Sequence, residues 1–94
     1  MDEKMRALVT KASGFGDLAT ANQRENITNF FNSHKSWVDL KGNPVTVISI
    51  EWVLAKPYIK FLVQTQTADI MMSAGHFIET HTLKDLQIEK SALA

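Results

Sequence analysis

The hydrophobic positions change their period once along this chain. Up to His34 they recur at helical spacing, and from Trp37 onward they alternate. Met5, Leu8, Val9 and Ala12 share one side of a helix predicted over residues 2–12. Ser13-Gly14-Phe15-Gly16 ends that helix, because closely spaced glycines favour a turn. Phe15 and Leu18 are expected to anchor the turn to the core. Thr20-Ala21-Asn22-Gln23 matches a capping box, in which the threonine hydroxyl and the glutamine side chain each accept from the other's backbone N–H. A second helix is predicted from Ala21 to Ser33. Its buried stripe is Ile27, Phe30, Phe31 and His34, at i, i+3, i+4 and i+7.

The alternating half begins with a short strand over Trp37–Lys41 and a turn at Gly42-Asn43-Pro44. Val45–Leu54 carries the clearest strand signal. A single alternation sends Thr46, Ile48, Ile50, Trp52 and Leu54 to the core and Val45, Val47, Ser49, Glu51 and Val53 outward. After a break at Ala55-Lys56-Pro57, Tyr58–Gln66 alternates again. Ile59, Phe61 and Val63 point inward; Tyr58, Lys60, Leu62 and Gln64 point outward. Thr67–Ala74 is expected to be a fourth strand with Ile70 and Met72 inward, and Gly75 a turn or bulge. His76–Thr80 reads as a fifth strand or a ragged continuation. The pattern predicts a single α+β domain over 1–94, helical over 1–34, an antiparallel sheet over 36–82, and a terminal element over 83–94. In it, two N-terminal helices pack on an antiparallel β-meander of four to five strands, followed by a short C-terminal helix or strand.

Composition narrows the function classes. The 94 residues are 45% hydrophobic and 21% charged, which suits one small core. Ten basic residues balance ten acidic ones, so the chain lacks the basic excess of a protein that grips a phosphate backbone broadly. With no cysteine, disulfides and thiol chemistry are excluded. The opening Met-Asp-Glu-Lys-Met-Arg does not resemble a secretory signal. The most apolar stretch, 45–63, is interrupted by Glu51, Lys56, Pro57 and Lys60, so no membrane span is expected. The expected location is the cytoplasm.

A charge gap is the most informative feature. The 23 residues from Phe61 to Leu83 contain two formal charges, Asp69 and Glu79, where the chain average of 21% would give about five. Solvated sheet faces normally alternate apolar with charged positions. Here the outward positions include Leu62, Gln64, Met71 and Ser73, with Val45 and Val47 expected beside them. Interface centres are depleted in charge and enriched in methionine. These six residues are therefore the expected interaction surface. Such a face is covered by the chain's own terminal element, by a second copy, a dimer being favoured, or by a different protein. A short, motif-free chain of this kind is associated by size with phage or mobile-element accessory proteins and inhibitors.

Catalytic signatures are weak. His76, Glu79 and His81 are the only cluster of potential ligands, and neither strand nor helix geometry brings all three together. No nucleophile elbow accompanies them. The segment Ser13-Gly14-Phe15-Gly16 lacks the strand and the Gly-Lys-Ser/Thr ending of a phosphate loop. A non-enzymatic protein without metal or cofactor is expected. The alternative is a small nucleic-acid-binding module that uses Lys41, Lys56, Tyr58 and Lys60 as a lysine/aromatic sheet face.

Overall fold

The computed structural model describes residues 2–14 and 18–84. The first helix, α1 (Glu3–Ser13), starts at Asp2, whose carboxylate accepts from the Lys4 backbone N–H at 2.8 Å. The second, α2 (Ala21–Ser33), starts at the capping box. The Gln23 N–H donates to Thr20 Oγ1 at 3.1 Å, and the Thr20 N–H donates to Gln23 Oε1 at 2.9 Å. Val9 and Ala12 of α1 and Ile27 and Phe31 of α2 are buried, as helical spacing requires. Leu18 is not an anchor: it is 64% exposed. Phe15 lies outside the described residues.

Five strands form one sheet: β1 (Ser36–Asp39), β2 (Pro44–Val53), β3 (Lys56–Val63), β4 (Ile70–Ser73) and β5 (His81–Leu83). Their order is β4-β3-β2-β1-β5 and every pairing is antiparallel. β1 to β4 form the expected meander, and β5 returns to the outer edge of β1. The fold is α+β: two N-terminal helices, then the antiparallel strands, with a short helix between β4 and β5; the part of the expected terminal element beyond Lys84 lies outside the described residues.

One irregularity corrects the reading of β2. The register slips between Val47, opposite Phe61, and Ser49, opposite Lys60, leaving Ile48 as an extra residue. Before the bulge the core face is odd-numbered, and Val45 and Val47 are both buried. Beyond it the core face is even-numbered, and Ile50 and Trp52 pack against the core. Val45 and Val47 therefore do not face outward as expected, and Ile48 does not face inward. A two-residue period carries a strand across a bulge only by changing parity.

The segment after β4 is the second correction. Residues expected to extend the sheet form the helix α3 (Ala74–Thr80), with Gly75 in its first turn. Phe77 and Ile78 are adjacent in sequence and both buried. A strand would turn one of them away from the core, whereas a helix keeps both on it. α3 lies on the same side of the sheet as α1 and α2, and Phe77 fills the centre of that layer. Its ring centroid is 5.0 Å from Trp37 and 5.1 Å from Phe61. The edges of a flat five-stranded sheet would lie about 19 Å apart. Seven helical residues rise only about 10 Å, so the sheet curls around α3 as the chain passes from β4 to β5.

Two backbone features carry strain or close contact. The β2–β3 hairpin turns through Leu54 (φ 51°) and Ala55 (φ 64°), a left-handed pair that glycine and asparagine normally occupy. Leu54 is 92% exposed, so no packing compensates for its conformation. At the other site, Ser13 Oγ accepts from the Gly75 N–H at 2.9 Å, so a residue of α1 caps α3, whose own N-cap Ser73 makes no side-chain cap. A Cβ on Gly75 would lie 2.9 Å from Ser13 Cβ.

Two stability predictions follow from these contacts. Gly75→Ala should destabilise the protein by about 1–3 kcal/mol through overpacking, read as a lower urea midpoint. An unchanged midpoint would mean that the two helices do not meet this closely. Replacing Leu54-Ala55 by Asn-Gly should stabilise the protein by about 1–2 kcal/mol, read as a higher urea midpoint, by relieving the left-handed turn.

Candidate functional site

All three described helices lie on one side of the sheet, so among the described residues its other face is built from strand residues. Register places Ser36, Thr46 and Leu62 on one rung, and Ser49, Lys60 and Met71 on the next. Glu51, Tyr58 and Ser73 form a third. Ile48 joins them because the bulge turns it outward. Met71 is 46% exposed, and Ile48 and Val53 are similarly open. Leu62 and Ser73 are half-buried, and Gln64 is exposed just past the end of β3, where its N–H donates to Pro44 O at 3.0 Å. Leu62, Gln64, Met71 and Ser73 thus share one surface, and Val45 and Val47 lie on the opposite one. The charges in the middle of this surface are Lys60 and Glu51, which face each other with Nζ 3.9 Å from Oε2.

The lysine/aromatic constellation does not converge. Lys41 sits in the β1–β2 turn, and Lys56 lies at the far end of the same hairpin system, where its ammonium reaches the Gly14 carbonyl. The ten residues of β2 separate these ends by about 33 Å. Only Tyr58 and Lys60 remain neighbours, and Lys60 is paired with Glu51. Trp52 is occupied as well: its Nε1 donates to Thr28 Oγ1 at 3.0 Å, and Arg24 lies 4.8 Å over its ring.

His76, Glu79 and His81 separate on α3. His76 and Glu79 are exposed, His81 is 9% exposed, and the described residues hold no group of three metal-ligating side chains. His81 belongs instead to a local arrangement that occurs twice. His34 ends α2 and His81 ends α3; each stacks on the phenylalanine four residues before it, at 4.6 Å on Phe30 and 4.2 Å on Phe77. In each case Nδ1 approaches that phenylalanine's carbonyl oxygen, at 2.9 Å and 3.1 Å. Each ring nitrogen thereby meets a last-turn carbonyl, although Phe30 O also accepts from the His34 backbone N–H at 3.0 Å and Phe77 O from Thr80 Oγ1 at 3.4 Å. The signal is in the sequence, because Ala74, Phe77, Ile78 and His81 repeat the i, i+3, i+4, i+7 spacing of Ile27, Phe30, Phe31 and His34.

His81 also lines a concavity of about 410 Å³ at the end of the sheet, with Asp39, Leu40, Lys41, Val63, Thr65 and Met72 among its walls. Asp39 lies opposite His81 in the β1–β5 pairing. Its carboxylate is committed to the turn: Oδ1 accepts from Asn43 N at 2.8 Å and Lys41 N at 2.9 Å, and Oδ2 accepts from Asn43 Nδ2 at 3.1 Å. The backbone hydrogen bond from Asn43 is the main reason its pKa lies below the ordinary carboxylate range. Burial holds His81 below its usual value, against the opposing pull of the Phe77 carbonyl and the Asp39 charge, with nearby His76 adding to the lowering. A second concavity, of about 460 Å³, lies between α1 and α2 and includes Met5, Leu8, Phe30 and His34. In comparisons with known proteins, no family model, no curated protein and no solved structure matches this chain.

A folded-state imidazole of lowered basicity has a defined consequence. On acidification the unfolded chain takes up the His81 proton first, near its ordinary value of about 6.5. The stability associated with His81 is therefore complete above that pH and is lost as pH falls through the folded value. Asp39 acts in the same sense, but below about pH 4. The urea midpoint should be lower at pH 5.5 than at pH 7.5, and His81→Gln should flatten this difference. Equal wild-type midpoints would show that the ring is not held neutral.

Proposed function

We propose that this protein is a non-enzymatic interaction module that pairs with a second copy of itself through the helix-free face of its sheet. The observation that carries this reading is the make-up of that face. Ile48, Val53, Leu62 and Met71 are presented beside Tyr58 and Ser73, and the central charges, Lys60 and Glu51, neutralise each other. Interface centres have this composition, and a methionine adapts its shape to an opposing surface. The central strands β2 and β3 run about 26–33 Å along this face.

A second copy suits the electrostatics. The chain has no net charge, so two copies do not repel. One cation beside one anion is self-complementary about a twofold axis, which is the requirement of an isologous interface. A role as an accessory or inhibitor protein, acting through contact and not through chemistry, agrees with this reading.

The test is molar mass in solution across a concentration series. Wild type should approach twice the chain mass, and Met71→Glu should remain at the chain mass with an unchanged far-UV spectrum. Glutamate is the suitable substitution because Met71 pairs across the strand with Lys60, so the new carboxylate is accommodated within a lone subunit. A wild-type protein that stays at the chain mass throughout, or a variant that associates as well as wild type, overturns the proposal.

A further inference from the structure

We infer that the concavity at the β1–β2 turn is a binding site for a small uncharged aromatic molecule bearing one O–H or N–H donor, which His81 Nε2 accepts. This inference uses a different surface from the self-association face and does not depend on it.

Phe77 O is 3.1 Å from His81 Nδ1, and a carbonyl can only accept. A hydrogen on Nδ1 satisfies the Phe77 carbonyl, and in that tautomer of the neutral ring Nε2 holds a lone pair. Thr80 Oγ1, 2.9 Å from Nδ1, can share that hydrogen while donating its own to His76 O at 3.1 Å. Nε2 has no hydrogen-bond partner among the described residues, although His81 is more than nine-tenths buried. No fully enclosed side-chain nitrogen or oxygen among those residues lacks a partner, so Nε2 is not sealed in. It opens where His81 does, into the concavity it lines. With Nδ1 engaged inside the protein, Nε2 is the ring's free acceptor at the wall of this concavity, which makes it a point of recognition.

The walls specify the remainder of the ligand. Val63, Met72 and Leu40 offer apolar and polarisable contact, and a thioether beside a ring is favourable. The formal charges in the lining are one lysine, Lys41, and one carboxylate, Asp39, already satisfied by Asn43 and Lys41 backbone donors. They cancel, so neither an anion nor a cation is selected. A concavity of about 410 Å³ has the size of small-molecule sites and would hold a one- or two-ring compound.

Phenol is the probe, and anisole, which keeps the ring and lacks the donor, is its control. With ¹⁵N-labelled histidine, long-range proton–nitrogen spectra report which nitrogen of His81 is protonated and whether Nε2 responds to ligand. Free protein should show the Nδ1–H form. Phenol should shift Nε2 saturably, with anisole about five- to ten-fold weaker, the value of one hydrogen bond. Thr65→Trp fills the concavity from an exposed position and should abolish the phenol response while the urea midpoint holds. An Nε2–H tautomer in the free protein overturns the inference. So does an Nε2 signal unmoved by phenol, equal binding of anisole, or a phenol shift that survives Thr65→Trp.

Discussion

A single extra residue in β2 decides what each side of this sheet becomes. Thr46 is polar at an even position, and Ser49 and Glu51 are polar at odd ones. No uninterrupted strand can place all three in solvent. The bulge at Ile48 reconciles them: it buries Val45 and Val47 ahead of it, seats Ile50 and Trp52 behind it, and turns Ile48 out. The same irregularity sharpens the local twist. That twist helps the sheet curl around α3 and bring the β4 and β5 edges within reach of one short helix.

Beneath the sheet, the core is organised around aromatic rings. Phe77 stands against Phe31, Trp37 and Phe61, mostly in edge-on arrangements that favour ring quadrupoles. The two histidines that end α2 and α3 extend this cluster to the surface, each stacked on a phenylalanine and bonded to its carbonyl. Each hands the chain to a strand, β1 or β5, and those strands pair with each other. The repeated helix–histidine–strand step thus makes one side of the sheet. It also leaves the second ring nitrogen of His81 at the edge of the structure, where a core residue acquires chemical potential.

The self-association face and the His81 concavity divide the molecule's surface between them. The first presents contact area with its central charges cancelled, and the second presents an acceptor in a concavity of mixed polar and apolar lining. The charge-poor stretch between Phe61 and Leu83 contributes to both. Leu62, Met71 and Ser73 line the open face, while Phe77, Ile78 and His81 belong to the helical layer and its rim. A shortage of charge in sequence therefore reflected two environments, one exposed and one buried.

Local rules in the sequence were sufficient for both N-terminal helices, the capping box, the Gly42 turn and the inward face of β3. In each, the information lies within a few residues: a side chain bonding its own backbone, a glycine at φ 83°, or a strict alternation. They also sufficed to gather Leu62, Gln64, Met71 and Ser73 on one surface, because β3 and β4 keep an uninterrupted period of two. The parity change in β2 and the helical state of Ala74–Thr80 were decided by tertiary structure. Seven residues cannot hold a helix by propensity alone. α3 is held because Phe77 and Ile78 both enter the core and Ser13, 62 positions away, caps its first turn. Packing across the chain stabilises the helical spacing that this short segment shares with α2.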